Sequence, residues 1–221
     1  MKLSARIPLL IGAVVLITCS AIIIAASVIA ERNLTTAYIN EITKDAESNA
    51  EIVKLRMDAQ LDVLFEIANR ARTRSMDWEG ASRDSLAPDV TRIESLDIGL
   101  VFPDGTAHYV TDNSTSNLGD RDYVRKAFAG ETSVSDIIIS RVTGEQVVMF
   151  AAPVHETENF SSPVIGTLIA RKDAKALSDL VASIKVNHKS GYAFLLNRSG
   201  TFSAHPDINM VTDAVNPIAL S

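Results

Sequence analysis

Hydrophobic positions along the chain fall into three regimes: an unbroken apolar run, a stripe at helical spacing, and short strand-like stretches separated by turn residues. The run extends from Pro8 to Ala30, 23 residues without a charge, rich in Ile, Val, Leu and Ala. As a helix it rises roughly 34 Å, enough to cross a hydrocarbon core. Lys2 and Arg6 precede it, which puts residues 1–7 in the cytoplasm and residues after Glu31 outside. A cleaved signal peptide is the rival reading, since Ala26-Ser27-Val28-Ile29-Ala30 loosely resembles a cleavage site. Signal peptides, however, carry about 7–15 apolar residues, fewer than this run. An uncleaved anchor over 8–30, crossing once, is the expectation.

The stripe follows. Leu34, Tyr38, Ile42, Ala46, Ala50, Val53, Met57, Leu61, Leu64, Ala68 and Ala71 take ten steps over 37 positions, a period near 3.7. That fits one face of a helix and not a strand. Glu41, Lys44, Asp45, Glu47, Lys54, Asp58 and Asp62 lie between, a solvated face, and no Pro or Gly interrupts before Gly80. The spacing predicts one long helix over 31–78. Its distal half is expected to pack on the domain that follows. Its proximal half either remains a plain amphipathic helix or pairs with the same helix of a second chain, a homodimer.

From Ser95 onward the period changes. Strands are predicted over 95–102 and 107–111 around the turn Pro103-Asp104-Gly105-Thr106, then over 133–140, 146–153 and 164–170. A polar loop over 112–120 leads into a short helix, 121–129, stopped by Gly130, and a second helix covers 174–185. Tight hairpins make the sheet antiparallel, because parallel neighbours need long crossovers. The order of elements predicts an α+β, PAS-like module over 79–189, a sheet with helices beside it. Leu195-Leu196-Asn197-Arg198-Ser199-Gly200-Thr201 then repeats Leu100-Val101-Phe102-Pro103-Asp104-Gly105-Thr106 at an offset of 95 residues. Residues 190–221 therefore read as the start of a second such module, and the chain as a fragment or truncated product.

Composition narrows the function. Apolar residues make up 47% of the chain, and the mean hydropathy is +0.14. The net charge of −6, with both signs interspersed, excludes the concentrated basic face of a nucleic-acid binder. The single cysteine, Cys19, excludes an intrachain disulfide and a thiolate metal site. His108, His155, His188 and His205 are scattered without metal-ligand spacing. No nucleophile elbow, phosphate loop or dinucleotide fingerprint occurs. No cofactor, metal or catalytic residue is expected, and Asp104 is a turn residue.

Several segments resemble double Cache domains, in order and spacing. They are Asp120-Arg121-Asp122-Tyr123-Val124-Arg125-Lys126-Ala127-Phe128-Ala129-Gly130, Ser140-Arg141-Val142-Thr143-Gly144 leading to Ala152-Pro153-Val154, and Ile165-Gly166-Thr167-Leu168. Gly191-Tyr192-Ala193-Phe194-Leu195 through Ala204-His205-Pro206-Asp207 is similar to the opening of the membrane-proximal module. The resemblance, over residues 31–210, implies the extracytoplasmic sensor region of a bacterial inner-membrane receptor. A methyl-accepting chemotaxis protein is its first expectation, and a histidine kinase or diguanylate cyclase the alternative. It implies small-molecule capture in the distal module and a signal passed down the long helix. In amino-acid-binding members an Arg-x-Trp-Tyr run holds the ligand carboxylate and two aspartates hold its ammonium. Here Arg121 and Tyr123 fall on the Arg and Trp positions, and Val124 replaces the second aromatic. Ser140 and Arg171 stand where the two aspartates would be. An ammonium facing Arg171 meets repulsion, whereas two guanidinium forks suit an anion. The expected ligand-binding residues are Arg121, Tyr123, Ser140 and Arg171.

Two other classes are weighed against the sensor: a membrane-anchored enzyme, for which a nucleophile–base constellation is missing, and a structural module serving dimer contacts. If the 8–30 segment is an uncleaved anchor, N-terminal sequencing of the membrane-extracted protein will begin well before Glu31; a start near Glu31 refutes it.

Overall fold

The computed structural model describes residues 3–184 and 191–219. Lys2, His188, the expected helix end at Lys185 and the module boundary at 189–190 lie outside the described residues. The chain divides into two compact units, residues 1–49 and 50–221.

Helix α1 spans Leu3–Ala68. In the first unit its apolar positions face outward: Leu16, Ile17, Ile22 and Ile23 are all more than 60% exposed. An 18-residue window of the helix reaches a mean hydropathy of 2.4 with none of it buried, so it is long and apolar enough to cross a membrane. Several hydroxyls in and after this stretch bond back to the helix. The hydroxyl of Thr18 donates to the carbonyls of Val14 and Val15, and that of Ser27 to Ile23. Such back-bonding removes the cost of a hydroxyl in hydrocarbon.

The second unit continues from α1 through α2 (Ala71–Arg74), a π-helical turn (Trp78–Ser82) and α3 (Arg83–Arg92). Strands β1 (Asp97–Val101), β2 (Thr106–Tyr109) and β3 (Thr115–Asn117) precede α4 (Asp122–Phe128). Then come β4 (Ser133–Val134), β5 (Ile138–Ile139), β6 (Gln146–His155), β7 (Val164–Asp173) and α5 (Ala174–Ala182). A hairpin of β8 (Leu195–Leu196) and β9 (Phe202–Ala204) leads to α6 (Ile208–Thr212). The main sheet is antiparallel throughout, in the order β3-β2-β1-β7-β6-β4, with β5 also pairing with β6.

Alternation along the strands gives this sheet two buried faces. On one, Ile98, Leu100, Phe150, Leu168 and Ala170 meet Leu61, Leu64, Ile67 and Ala68 of α1, with Trp78 and Leu86 closing the layer. On the other, Ala107, Tyr109, Met149, Ala151 and Ile169 lie against Leu118 and against Tyr123, Val124 and Ala127 of α4. The stripe from Val53 to Ala68 is therefore buried or half-buried, as its period predicts, whereas Ala71, beyond the end of α1, is exposed. The stripe's proximal members Leu34 and Ile42 stay exposed, at 59% and 58%.

Most boundaries shift by one to three residues, α5 for instance ending at Ala182 and β2 at Tyr109, and four differences have a local reason. The long helix ends at Ala68, ten residues before the expected 78, where the Thr73 hydroxyl donates to the Ile67 carbonyl. The polar loop 112–120 contains β3, whose backbone pairs with Thr106–His108 although its side chains carry no strand pattern. The strand expected over 133–140 splits at Ser135, whose amide still donates to the Met149 carbonyl while its hydroxyl, in place of its carbonyl, accepts from the Met149 amide. Strands β6 and β7 run further than expected, since nothing breaks them before Glu156 and before Asp173, the N-cap of α5.

The internal repeat is visible as geometry. The Phe102 amide donates to the Thr106 carbonyl and the Gly105 amide to the Phe102 carbonyl, at 2.8 Å each. Asn197–Thr201 and Gly200–Asn197 form the same two bonds, at 2.9 and 3.0 Å, 95 residues later. Gly105 and Gly200 hold φ of +85° and +82°, which a residue with Cβ rarely adopts.

Leu64 is fully buried and Leu55 is 61% exposed. Leu64→Ala should cost about 2–5 kcal/mol and Leu55→Ala less than about 0.5 kcal/mol, read by chemical denaturation of the full chain in detergent.

Candidate ligand-binding site

The face covered by α4 carries the chemistry, and strand register puts it there. Asp97 on β1 sits opposite Arg171 on β7, and Arg171 opposite Met149 on β6, in one cross-sheet row. One row on, Gly99 pairs with Tyr109 and with Ile169. A buried carboxylate, a buried guanidinium and a buried phenol thus share a small area of an otherwise apolar surface.

Arg171 Nη2 lies 3.5 Å from Asp97 Oδ2, and both side chains are under 10% exposed. Its guanidinium carbon is 5.3 Å from the centre of the Tyr109 ring. Asp97 is held firmly: its Oδ1 accepts from the amides of Ile98 and Thr111 and from the Thr111 hydroxyl. Arg171 is not. Its Nε and Nη1 are buried with no hydrogen-bond partner, and so is Nε of Arg121. Leaving such donors unmet is costly.

Arg121 occupies the N-cap position of α4 in an extended conformation without a capping bond. Its Nη2 reaches the Ile139 carbonyl at 3.4 Å. Next to it Tyr123 is 5% exposed, and burial pushes its phenol pKa up, with Tyr109 adding to the shift. Burial also raises Tyr109 to about 12, while Arg171 and Arg121 pull the other way. Both phenols therefore keep their protons at neutral pH and can donate. Tyr109 senses both arginines, which ties the row on the sheet to the start of α4.

A groove of about 540 Å³ opens beside α4, lined by Arg121, Tyr123, Val134, Ser135, Ile138 and Arg198 among others. Two of the four expected site residues, Arg121 and Tyr123, line it together. Arg171 lies on the same sheet face but not in the groove wall. Ser140 also stands apart: its hydroxyl accepts from the amides of Val142 and Thr143 and shapes the turn before β6. Hollows of about 370 and 210 Å³ lie on the α1 side around Lys172. There Lys172 already donates to the Ile93 carbonyl, and burial lowers its pKa. Among the described residues no group of three His, Cys, Asp or Glu could hold a metal ion.

Sequence reasoning missed Asp97, Tyr109 and the rim of the groove. Asp97 did leave a signal, a charge inside a predicted strand. At the rim, Arg141 grips Asp120 through two bonds of 2.7 and 2.6 Å and also donates to the Asn117 carbonyl. The Arg141 hydrogen bonds hold the Asp120 carboxyl at about 2, below its usual 3.8.

Comparison with known proteins places this geometry. A family model described as a Cache domain matches residues 30–219. The ligand-binding domain of the Pseudomonas fluorescens chemoreceptor CtaA, solved with L-serine, is 17% identical with a TM-score of 0.63, over 84% of this chain and 77% of that one. The amino acid chemoreceptor PctC of Pseudomonas aeruginosa, solved with GABA, is 18% identical with a TM-score of 0.60, over 77% of each chain. The sensory domain of the Campylobacter jejuni chemoreceptor Tlp3, solved with isoleucine, is 15% identical with a TM-score of 0.59, over 78% of this chain and 71% of that one. At these identities the likeness is one of fold. A search of curated proteins gives no match.

Because Asp120 is more acidic folded than unfolded, its stabilising contribution is present above its usual 3.8 and is lost as the pH falls toward about 2. Arg141→Ala should return Asp120 to near 3.8 in a carboxyl-resolved NMR titration; an unchanged titration refutes the clamp.

Proposed function

The chain belongs to the Cache domain family, and from that premise we propose that it is the extracytoplasmic sensing region of a transmembrane chemoreceptor that binds a small carboxylate. Residues 8–30 form the membrane span, with 1–7 in the cytoplasm, and the long helix carries the domain outside. Residues 79–189 form the membrane-distal module and 190–221 the opening of the proximal one. The exposed apolar positions Leu34, Ile39 and Ile42 of α1 serve contact with a second copy. The domain binds and does not turn its ligand over. Nδ1 of His155 and of His205 bond main-chain groups at Ser162 and Asp207 rather than a nucleophile.

The carrying observation is Arg171, a buried guanidinium with two donor nitrogens unmet although Asp97 lies beside it. These donors lie on different edges of the guanidinium, and a carboxylate oxygen can accept from either in a charge-assisted bond. Arg121 offers a further unmet donor and Tyr123 a protonated phenol. The carboxylate of Asp97 is already engaged by backbone, hydroxyl and guanidinium donors. A ligand ammonium approaching Asp97 would compete with those donors and meet repulsion from Arg171. The ligands in the three solved relatives, serine, GABA and isoleucine, share a carboxylate with the proposed one.

Calorimetry of the full chain in detergent, with monocarboxylates from acetate to valerate, tests the site. At least one should bind, and the matching free amines should not. Arg121→Ala should weaken the best binder by about 2–5 kcal/mol, roughly 30-fold or more. Arg171→Lys keeps a cation beside Asp97 but loses the fork, and should weaken it comparably. Unchanged affinity in both variants defeats the assignment.

A further inference from the structure

One residue of the groove comes from outside the first module. Arg198 lies at the tip of the β8–β9 hairpin, yet it lines the same groove as Arg121 and Tyr123. Its turn is well fixed: Asn197 Oδ1 accepts from the Ser199 amide, the Ser199 hydroxyl and the Thr201 amide, at 3.0, 2.7 and 3.0 Å. The segment is also moored to the first module. Gln146 Nε2 donates to the Thr212 carbonyl at 3.4 Å, and the His205 amide to the Ser178 hydroxyl at 3.4 Å.

The charges around the groove are unevenly matched. Asp122 pairs with Arg125 and Lys126, and Asp120 with Arg141. Among the described residues, no carboxylate lies within ion-pair distance of Arg121 or Arg198, and no cation within that distance of Asp136. Two guanidinium groups, from α4 and from the β8–β9 hairpin, thus line one groove together with one carboxylate, Asp136, that pairs with neither. Like charges held in one cavity repel, and an anion with an acceptor at each end would relieve both.

We propose that Arg198 is a ligand-binding residue of this groove, and that the ligand is a dicarboxylate whose outer carboxylate it holds. The inference rests on the carboxylate site proposed above and adds the second end. One carboxylate engages the first module at Arg121, and the other engages the hairpin that opens the second. Ligand binding then ties the two modules together, which a monocarboxylate cannot do.

The test compares malonate, succinate, glutarate and adipate with monocarboxylates of matched chain length, by calorimetry of the full chain in detergent. At least one diacid should bind roughly tenfold or more tightly than its matched monoacid. Arg198→Ala should bring that diacid down to the monoacid level and leave the monoacid unchanged, with Arg198→Lys in between. Amide exchange over residues 195–204 should slow with the diacid and not with the monoacid. No diacid preference, or a preference that survives Arg198→Ala, overturns the proposal while leaving the monocarboxylate site intact. If Arg198 serves only as a brace for Asp136, Arg198→Ala and Asp136→Asn will weaken mono- and diacids alike, and that also overturns it. If no carboxylate binds at all, this proposal and the site beneath it fall together.

Discussion

Leu61, Leu64, Ile67 and Ala68, on the last turns of α1, press on the centre of the sheet, and the rest of the second unit depends on that contact. Fully burying one large aliphatic side chain yields about 1.5–3 kcal/mol, so three of them amount to a large share of the 5–15 kcal/mol that holds a typical domain folded. Once α1 covers one face, the opposite face must find another cover. It has only α4, seven residues long, and the loops around it. Those elements shield Tyr123, Val124 and Ala127 but leave a groove at the helix start. The site exists because the sheet's second face is covered sparingly.

That sparing cover explains why polar groups can persist there. A guanidinium buried in a dry core is costly unless its charge is paired and its donors are met. The pairing of Arg171 with Asp97 meets the first condition and not the second, because Nε and Nη1 remain unsatisfied. The Tyr109 ring at 5.3 Å adds a cation–π contact but accepts no hydrogen bond from those nitrogens. Such an arrangement stores unmet bonding capacity at the centre of the sheet. An acceptor brought to those nitrogens would form bonds that no protein group now makes.

How far these features can be read without coordinates depends on whether they are local. The stripe from Leu34 to Ala68 is legible because helical period survives in one dimension, and so are β6 and β7 as apolar runs of unusual length. Turns such as Pro103-Asp104-Gly105-Thr106 are legible too, because their chemistry is contained within four residues. By contrast β3, Thr115–Asn117, is made by backbone pairing with β2 and by nothing in its side chains. The split of β4 from β5 turns on one hydroxyl, that of Ser135, reaching the Met149 amide across the sheet. Asp97 and Arg171 are 74 residues apart, and only register makes them neighbours. Ser140 shows the converse: a position assigned by resemblance whose hydroxyl is taken up by its own turn.

The two repeated turns sharpen the meaning of one of these residues. Offset by 95, the turns match amide for amide, and the positive-φ glycine falls at the same place in both. Their side chains close them differently. Asp104 accepts from the Thr106 amide and hydroxyl in the first, whereas Asn197 gathers three donors in the second. The position after the strand is Pro103 in one and Arg198 in the other. Proline suits that corner because its fixed φ lowers the entropy lost on forming the turn. The second turn forgoes that advantage and takes a long cation that the backbone does not require. Turn formation therefore does not account for an arginine at this tip. The groove beside α4 is the surrounding that Arg198 shares with Arg121 and Tyr123. The physical reason for the residue is to be sought in that groove, among charges contributed by α4 and by the hairpin.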